Sequence, residues 1–207
     1  MGLAGGLAPV ARAELWQGRA EIEFHATSTL HDFTGTARSE LFTAQVARDG
    51  PAVTLGGTAI VAVAGMDTRH AKRDDNLRKM FDAPRFPLVT GVVAPVRIDP
   101  ATSDAQVPIQ FTIRDRVQTV PATLTGWRTE DGMLRFQLDL VLSLQRCGLT
   151  PPVMMGLIRV GDAVSVRIRV ALEKAPTEST ASPRAWRTST HGSAMGHSTS
   201  RRAAMRT

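Results

Sequence analysis

With a single cysteine, Cys147, in 207 residues, this chain cannot form a disulfide within itself and carries no CxxC pair for metal or redox chemistry. Long apolar runs are also missing. Stretches such as 61–65 fall far short of the roughly 20 residues a membrane-spanning helix needs. No HxH or HExxH spacing is present, and Ser28, Ser39, Ser143 and Cys147 lack a nucleophile-elbow context such as GxSxG. The usual signatures of zinc hydrolases and serine hydrolases are therefore absent.

Positive charge is plentiful overall but scarce where a fold would use it. The net charge is +6, yet residues 1–174 hold 20 Lys and Arg against 18 Asp and Glu, and residues 175–207 hold five Arg against Glu178. Most of the basicity thus lies in a C-terminal tail. A nearly neutral body argues against a phosphate-tracking surface, so no specific nucleic-acid partner is expected.

That tail, 175–207, is rich in Ser, Thr, Ala, Gly and Arg and has no apolar period. Such a segment buries too little surface to offset its ordering entropy, so disorder is expected, with at most weak adhesion to anionic surfaces. At the other end, residues 1–14 are small and largely apolar and include Ala11-Arg12-Ala13. This fits the cleavage end of a secretory signal, the alternative being a frayed terminus.

What is abundant is alternation. Leu134, Phe136, Leu138, Leu140, Leu142 and Leu144 interleave with mostly polar residues, a pattern that only an extended chain places on opposite faces. The same period appears from Val107 to Ile113 and from Val164 to Leu172. Further strands are expected at 19–28, 33–44, 53–64, 88–98 and 117–127, about eight in all, with Asp-Gly punctuation at Asp49-Gly50 and Asp131-Gly132. Eight long one-sided strands must close on themselves or pack as two sheets, and closure removes exposed edges. One segment differs: Leu77 and Phe81 at i, i+4 before Pro84 predict a short helix over 70–81.

The blocks "FHATSTLHDFTGTA", "GMDTRHAKRDDNLRKMFDAPRFPLVTG", "VPIQFTIRDRVQTVPATLTG", "LSLQRCGLTPP" and "GDAVSVRIRVAL" in this order resemble the YceI-like family of lipid-binding proteins over roughly 16–173. The resemblance implies an all-β fold, a single antiparallel eight-stranded lipocalin-like barrel over 15–174. It also implies export to the periplasm, with the cytoplasm as the alternative, and an elongated interior that holds a polyisoprenoid or other long-chain lipid. Two departures stand out. Arg114-Asp115-Arg116-Val117 occupies the place of a Gly-containing turn, and Gly91 replaces a common aromatic.

Candidate barrel-lining residues are Phe24, Phe111, Ile113, Phe136, Leu138, Leu140, Val166 and Ile168, with Arg73, Asp74 and Leu77 as contacts at the mouth or helix. Arg73 and Asp74 could pair with each other, to cap the barrel or to fix the helix to it. Small residues, Gly56, Gly57, Ala59, Ala62, Ala64, Gly91 and Ala94, would leave volume open wherever they face inward. His25, His31, Asp32, Asp67, His70 and Asp74 raise a metal or acid–base site, against which stands the ordinary role of His and Asp as hydrogen-bonded strand ends. The expected function is binding or transport without catalysis, cofactor or resident metal. A filled-barrel interaction module and a small-molecule enzyme using the His and Asp residues are the rivals.

Overall fold

A computed structural model describes residues 13–102, 105–151 and 159–176. The expected signal remnant and disordered tail fall almost wholly outside these residues. The described chain forms β1 (Glu14–Ser28), β2 (Phe33–Arg38), β3 (Phe42–Asp49), β4 (Ala52–Ala62), a helix α1 (Ala71–Phe81), β5 (Leu88–Ile98), β6 (Gln106–Ile113), β7 (Arg116–Glu130), β8 (Met133–Ser143) and β9 (Val160–Lys174).

All neighbouring strands pair antiparallel, and β9 pairs back onto β1 from Trp16–Lys174 to Ser28–Val160, which closes the sheet. The nine strands fill eight positions. Along the other edge of β1, β3 covers Glu14 to Gly18 and β2 covers Glu21 to Ala26, so the two make one broken stave. The eight-stranded barrel expected from the sequence is thus what forms.

The break itself corrects the single strand expected at 33–44. Ser39 is buried, and its hydroxyl accepts the Ala20 N–H at 2.8 Å while donating to the Glu40 carbonyl at 2.8 Å. A side chain thereby takes over part of the backbone ladder, and the Glu40 N–H turns to Ile60 of β4.

Period-two burial holds along most strands, but it shifts phase where the register shifts. Between the pairs Leu55–Val96 and Gly57–Val93, β5 carries the extra residue, Ala94-Pro95 facing Gly56 alone. The bulge moves the inward set of β5 from Val89, Gly91 and Val93 to Val96 and Ile98. Both Asp-Gly turns form as expected, with Asp131 (φ 50°) and Gly132 (φ 75°) joining β7 to β8.

The helix begins one residue later than predicted. His70 is its extended N-cap, and Asp82 ends it in the left-handed region, its N–H reaching the Arg78 and Lys79 carbonyls. Arg114 also lies in that region (φ 55°), at the start of the segment where the family resemblance anticipates a Gly-containing turn. Its guanidinium compensates by donating to the Gly148 carbonyl at 3.1 Å and lying over the Phe86 ring at 5.6 Å.

Candidate functional site

The two ends of the barrel are packed differently. Turns β3–β4, β5–β6 and β7–β8 share one end with the start of β1 and the finish of β9. There Trp16, Val46, Val53, Val107, Leu124 and Leu134 are each at most 2% exposed, and the barrel is filled. Toward the opposite end, which carries α1 and the β1–β2, β6–β7 and β8–β9 connections, the barrel is hollow. A cavity of about 490 Å³ occupies it, within the range typical of small-molecule pockets.

The wall is built by alternation. Inward positions of β1, β6, β8 and β9 supply Phe24, Phe111, Ile113, Phe136, Leu138, Val166 and Ile168, all predicted from the sequence. Leu140 lies between Leu138 and Leu142 on the same face of β8 and is buried, but it is not part of the cavity wall. Of the small residues, Gly56, Gly57, Ala59 and Gly91 do line the space, whereas Ala62, Ala64 and Ala94 do not. Gly91 therefore faces inward, and the aromatic it replaces would have occupied part of the cavity. Gly35 faces its cross-strand partner Phe24 so closely that any Cβ would collide with the ring.

One face of α1 closes over this end with Lys72, Arg73, Asn76, Leu77, Met80 and Phe81, two i, i+4 rows. Of these, the sequence offers Arg73 and Leu77 as contacts and Phe81 only as the helical partner of Leu77. The i, i+4 row Lys72, Asn76 and Met80 carries the helical spacing that reveals the rest. Phe33, Phe42, Met66 and Leu30 also reach the cavity and were missed. The first two lie on the broken stave, where two strands stand in place of the one expected at 33–44.

Arg73 and Asp74 do not pair with each other. Both grip Thr68: Asp74 Oδ1 accepts the Thr68 N–H at 2.9 Å and the Thr68 hydroxyl, while Arg73 Nη2 donates to the Thr68 carbonyl at 2.6 Å. The Arg73 guanidinium also lies 4.5 Å from the Phe33 ring centre. Asp74 is thus a buried clamp of helix to barrel and is not on the cavity wall, whereas Arg73 is on it. Burial pushes the Asp74 carboxyl upward, but the two Thr68 hydrogen bonds, with Arg78 and Arg73 nearby, outweigh it and hold the group below the usual aspartate value.

The other His and Asp residues disperse. His25 Nε2 is 4.0 Å from Asp32 Oδ2, Asp67 Oδ1 accepts the Arg69 N–H at 2.7 Å, and His31 and His70 reach the cavity mouth. Among the described residues, no three of His, Cys, Asp and Glu converge on one point. Cys147 is buried in the cavity wall, its thiol donating to Gln118 Oε1 at 3.2 Å, and burial together with Asp162 pushes its pKa up. Polar groups therefore reach the cavity chiefly at its mouth, and the interior is apolar.

This architecture has solved counterparts. The crystal structure of Burkholderia cenocepacia BcnA superposes with a TM-score of 0.57 at 18% identity, over 75% of this chain and 96% of that one. A polyisoprenoid binding domain from Saccharophagus degradans, implicated in plant cell wall breakdown, superposes with a TM-score of 0.58 at 13% identity, over 79% of this chain and all of that one. No curated protein sequence matches significantly. The YceI-like domain model matches residues 15–172, nearly every residue of the barrel from β1 to β9, and the chain belongs to the YceI-like domain family.

Proposed function

We propose that this protein binds a single long-chain apolar lipid, of polyisoprenoid type, in the hollow half of the barrel, and that it acts as a carrier or buffer without transforming its ligand. The observation that carries this reading is the 490 Å³ apolar cavity opening beside α1. A filled-barrel interaction module has no need of such a space. The Saccharophagus degradans domain, of similar fold, is a polyisoprenoid binding domain, which supports the ligand class.

Burying about ten CH2 equivalents of such a chain contributes roughly 8 kcal/mol before the cost of immobilisation. Affinity then needs no polar contact in the interior. The polar end of the ligand would remain at the mouth, beside His70, Lys72 and Arg73, where water and hydrogen-bonding groups are available. No Asp or Glu lines the cavity, and apart from Cys147 its titratable side chains, His31, His70, Lys72 and Arg73, lie at the mouth, which supports binding over catalysis. Export to the periplasm belongs to the same reading, since a carrier is useful where a lipid must cross water.

Native mass spectrometry of protein purified from its own host tests this directly. The expected result is a copurified adduct whose mass steps match isoprene units. Protein that carries no adduct and fails to take up a fluorescent prenyl probe would overturn the reading.

A further inference from the structure

The two ends of the barrel differ in how many exposed cations lack an ion pair, the filled end having Arg48, which donates to Thr129 Oγ1 at 3.0 Å, and Arg135. Around the filled end, Arg97 pairs with Asp49 at 2.9 Å, Arg128 with Glu130 at 3.4 Å and Lys174 with Glu14 at 2.9 Å. Around the hollow end, Arg69, Lys72, Arg85, Arg116, Arg146 and Arg159 are exposed, and none is ion-paired among the described residues. Chain order places them all there. Arg69 and Lys72 flank the start of α1, Arg85 follows its end, Arg116 opens β7, Arg146 follows β8 and Arg159 precedes β9.

Three carboxylates at the same end are turned toward backbone, while Asp75 pairs with Arg78 at 3.1 Å and Asp115 is exposed. Asp32 Oδ1 accepts the Ser28 N–H at 3.1 Å, Asp67 Oδ1 the Arg69 N–H at 2.7 Å, and Asp162 Oδ1 the Gln145 N–H at 2.7 Å. Exposed apolar side chains share the rim: Leu30 in the β1–β2 turn is 60% exposed, Leu88 at the start of β5 44%, and Val117 at the start of β7 61%. Lone exposed apolar residues are ordinary, but Leu30 lines the cavity itself and Leu88 and Val117 begin strands at the same end of the barrel.

Cations without an ion pair, of which Arg85 lies 4.9 Å over the Phe86 ring, interleaved with apolar side chains match the surface of an anionic bilayer, where the former meet head groups and the latter enter the interface. A nucleic acid would engage the cations and leave the apolar rim unused. We propose that the hollow end docks on an anionic membrane surface, so that an apolar ligand passes between bilayer and barrel without crossing bulk water. This rests on the reading of the cavity as a lipid site.

Sedimentation of the full chain with phosphatidylcholine vesicles, with and without phosphatidylglycerol, tests the docking. The parent should bind the anionic vesicles, and added salt should release it. Reversing three rim cations outside the cavity wall, Arg85→Glu, Arg116→Glu and Arg146→Glu together, should weaken that binding at least ~50-fold while the C-terminal tail is unchanged. Leu88→Ser should weaken it several-fold with the charge untouched. Should the triple variant fail to fold, Arg85→Glu and Val117→Asp singly carry the same test. Vesicle binding that survives these exchanges, or a parent that ignores anionic vesicles, overturns the proposal.

Uptake of a fluorescent prenyl probe from vesicle-free solution, measured in parallel, separates the two readings. It should persist in the rim variants if the cavity binds lipid, whereas its absence from the parent would sink the cavity reading.

Discussion

Filling the cavity from within is the most direct test of whether the barrel is hollow, and Gly91 is the place to do it. Gly91 faces inward from β5, its φ is not positive, and a Cβ there would stand 3.5 Å from Phe111 Cε1 and 3.6 Å from Ile109 Cγ2, ordinary contact distances. Neither backbone nor neighbours oppose a side chain. In Gly91→Phe the ring should enter the 490 Å³ space. Its burial contributes about 2–3 kcal/mol, and replacing a strand glycine adds up to ~1 kcal/mol. After losses to imperfect fit, a gain of about 1–3 kcal/mol is expected. That is a rise in Tm of ~2–4 °C per kcal/mol for a domain of this size.

The same ring should displace ligand. Losing contact with about four CH2 groups costs roughly 3 kcal/mol, a ~100-fold weaker Kd for a prenyl probe. Differential scanning calorimetry and a fluorescence titration read the two effects. A Tm that falls by the equivalent of 1–3 kcal/mol, the signature of overpacking, would show that the space is not available. Unchanged probe affinity in a folded variant would show that the ligand lies elsewhere.

Leu138→Trp, on the opposite wall, should likewise stay folded and weaken probe uptake, whereas Leu138→Asp buries an unpaired carboxylate and should cost several kcal/mol in urea unfolding. Asp74 is held below its usual value in the folded state, so its contribution to stability is present above about pH 4 and is lost as pH falls through the folded value. Asp74→Asn should therefore lower Tm at neutral pH and flatten its decline below about pH 4, while an unchanged acid limb would refute the clamp's electrostatic role. Cys147, buried and with its thiol pKa raised, should resist iodoacetamide at pH 8 until the protein unfolds, and rapid native alkylation would mean that the cavity end opens readily.

The strand period of two, the Asp-Gly turns and the helix at Leu77 and Phe81 were legible because they depend on neighbours close in the chain. Alternation from Leu134 to Leu144 identified an inward face without reference to any other strand. Local signals failed where a distant residue intervened. Ser39 breaks a stave because Ala20 of β1 lies opposite, and Ala94-Pro95 reverses the phase of β5 because β4 offers one residue against its two. The pattern of residues 73 and 74 was visible, but its meaning depended on Thr68, which both reach only after α1 folds back across the end of β4.

By itself the sequence determined that the barrel has an apolar interior, since period-two strands must hide one face from water. Only the tertiary structure decided that one half of that interior is filled and the other empty. Leu134, packed to 0% exposure, and Leu138, on the cavity wall, occupy the same face of β8, and nothing local distinguishes them. The difference arises from what stands across the barrel. Trp16, Val46 and Leu172 fill the space near Leu134, whereas glycines and alanines from β4 and β5 leave it open around Leu138. Volume inside a closed sheet is a property of all its strands together, because packing compares side chains that meet only when the barrel closes.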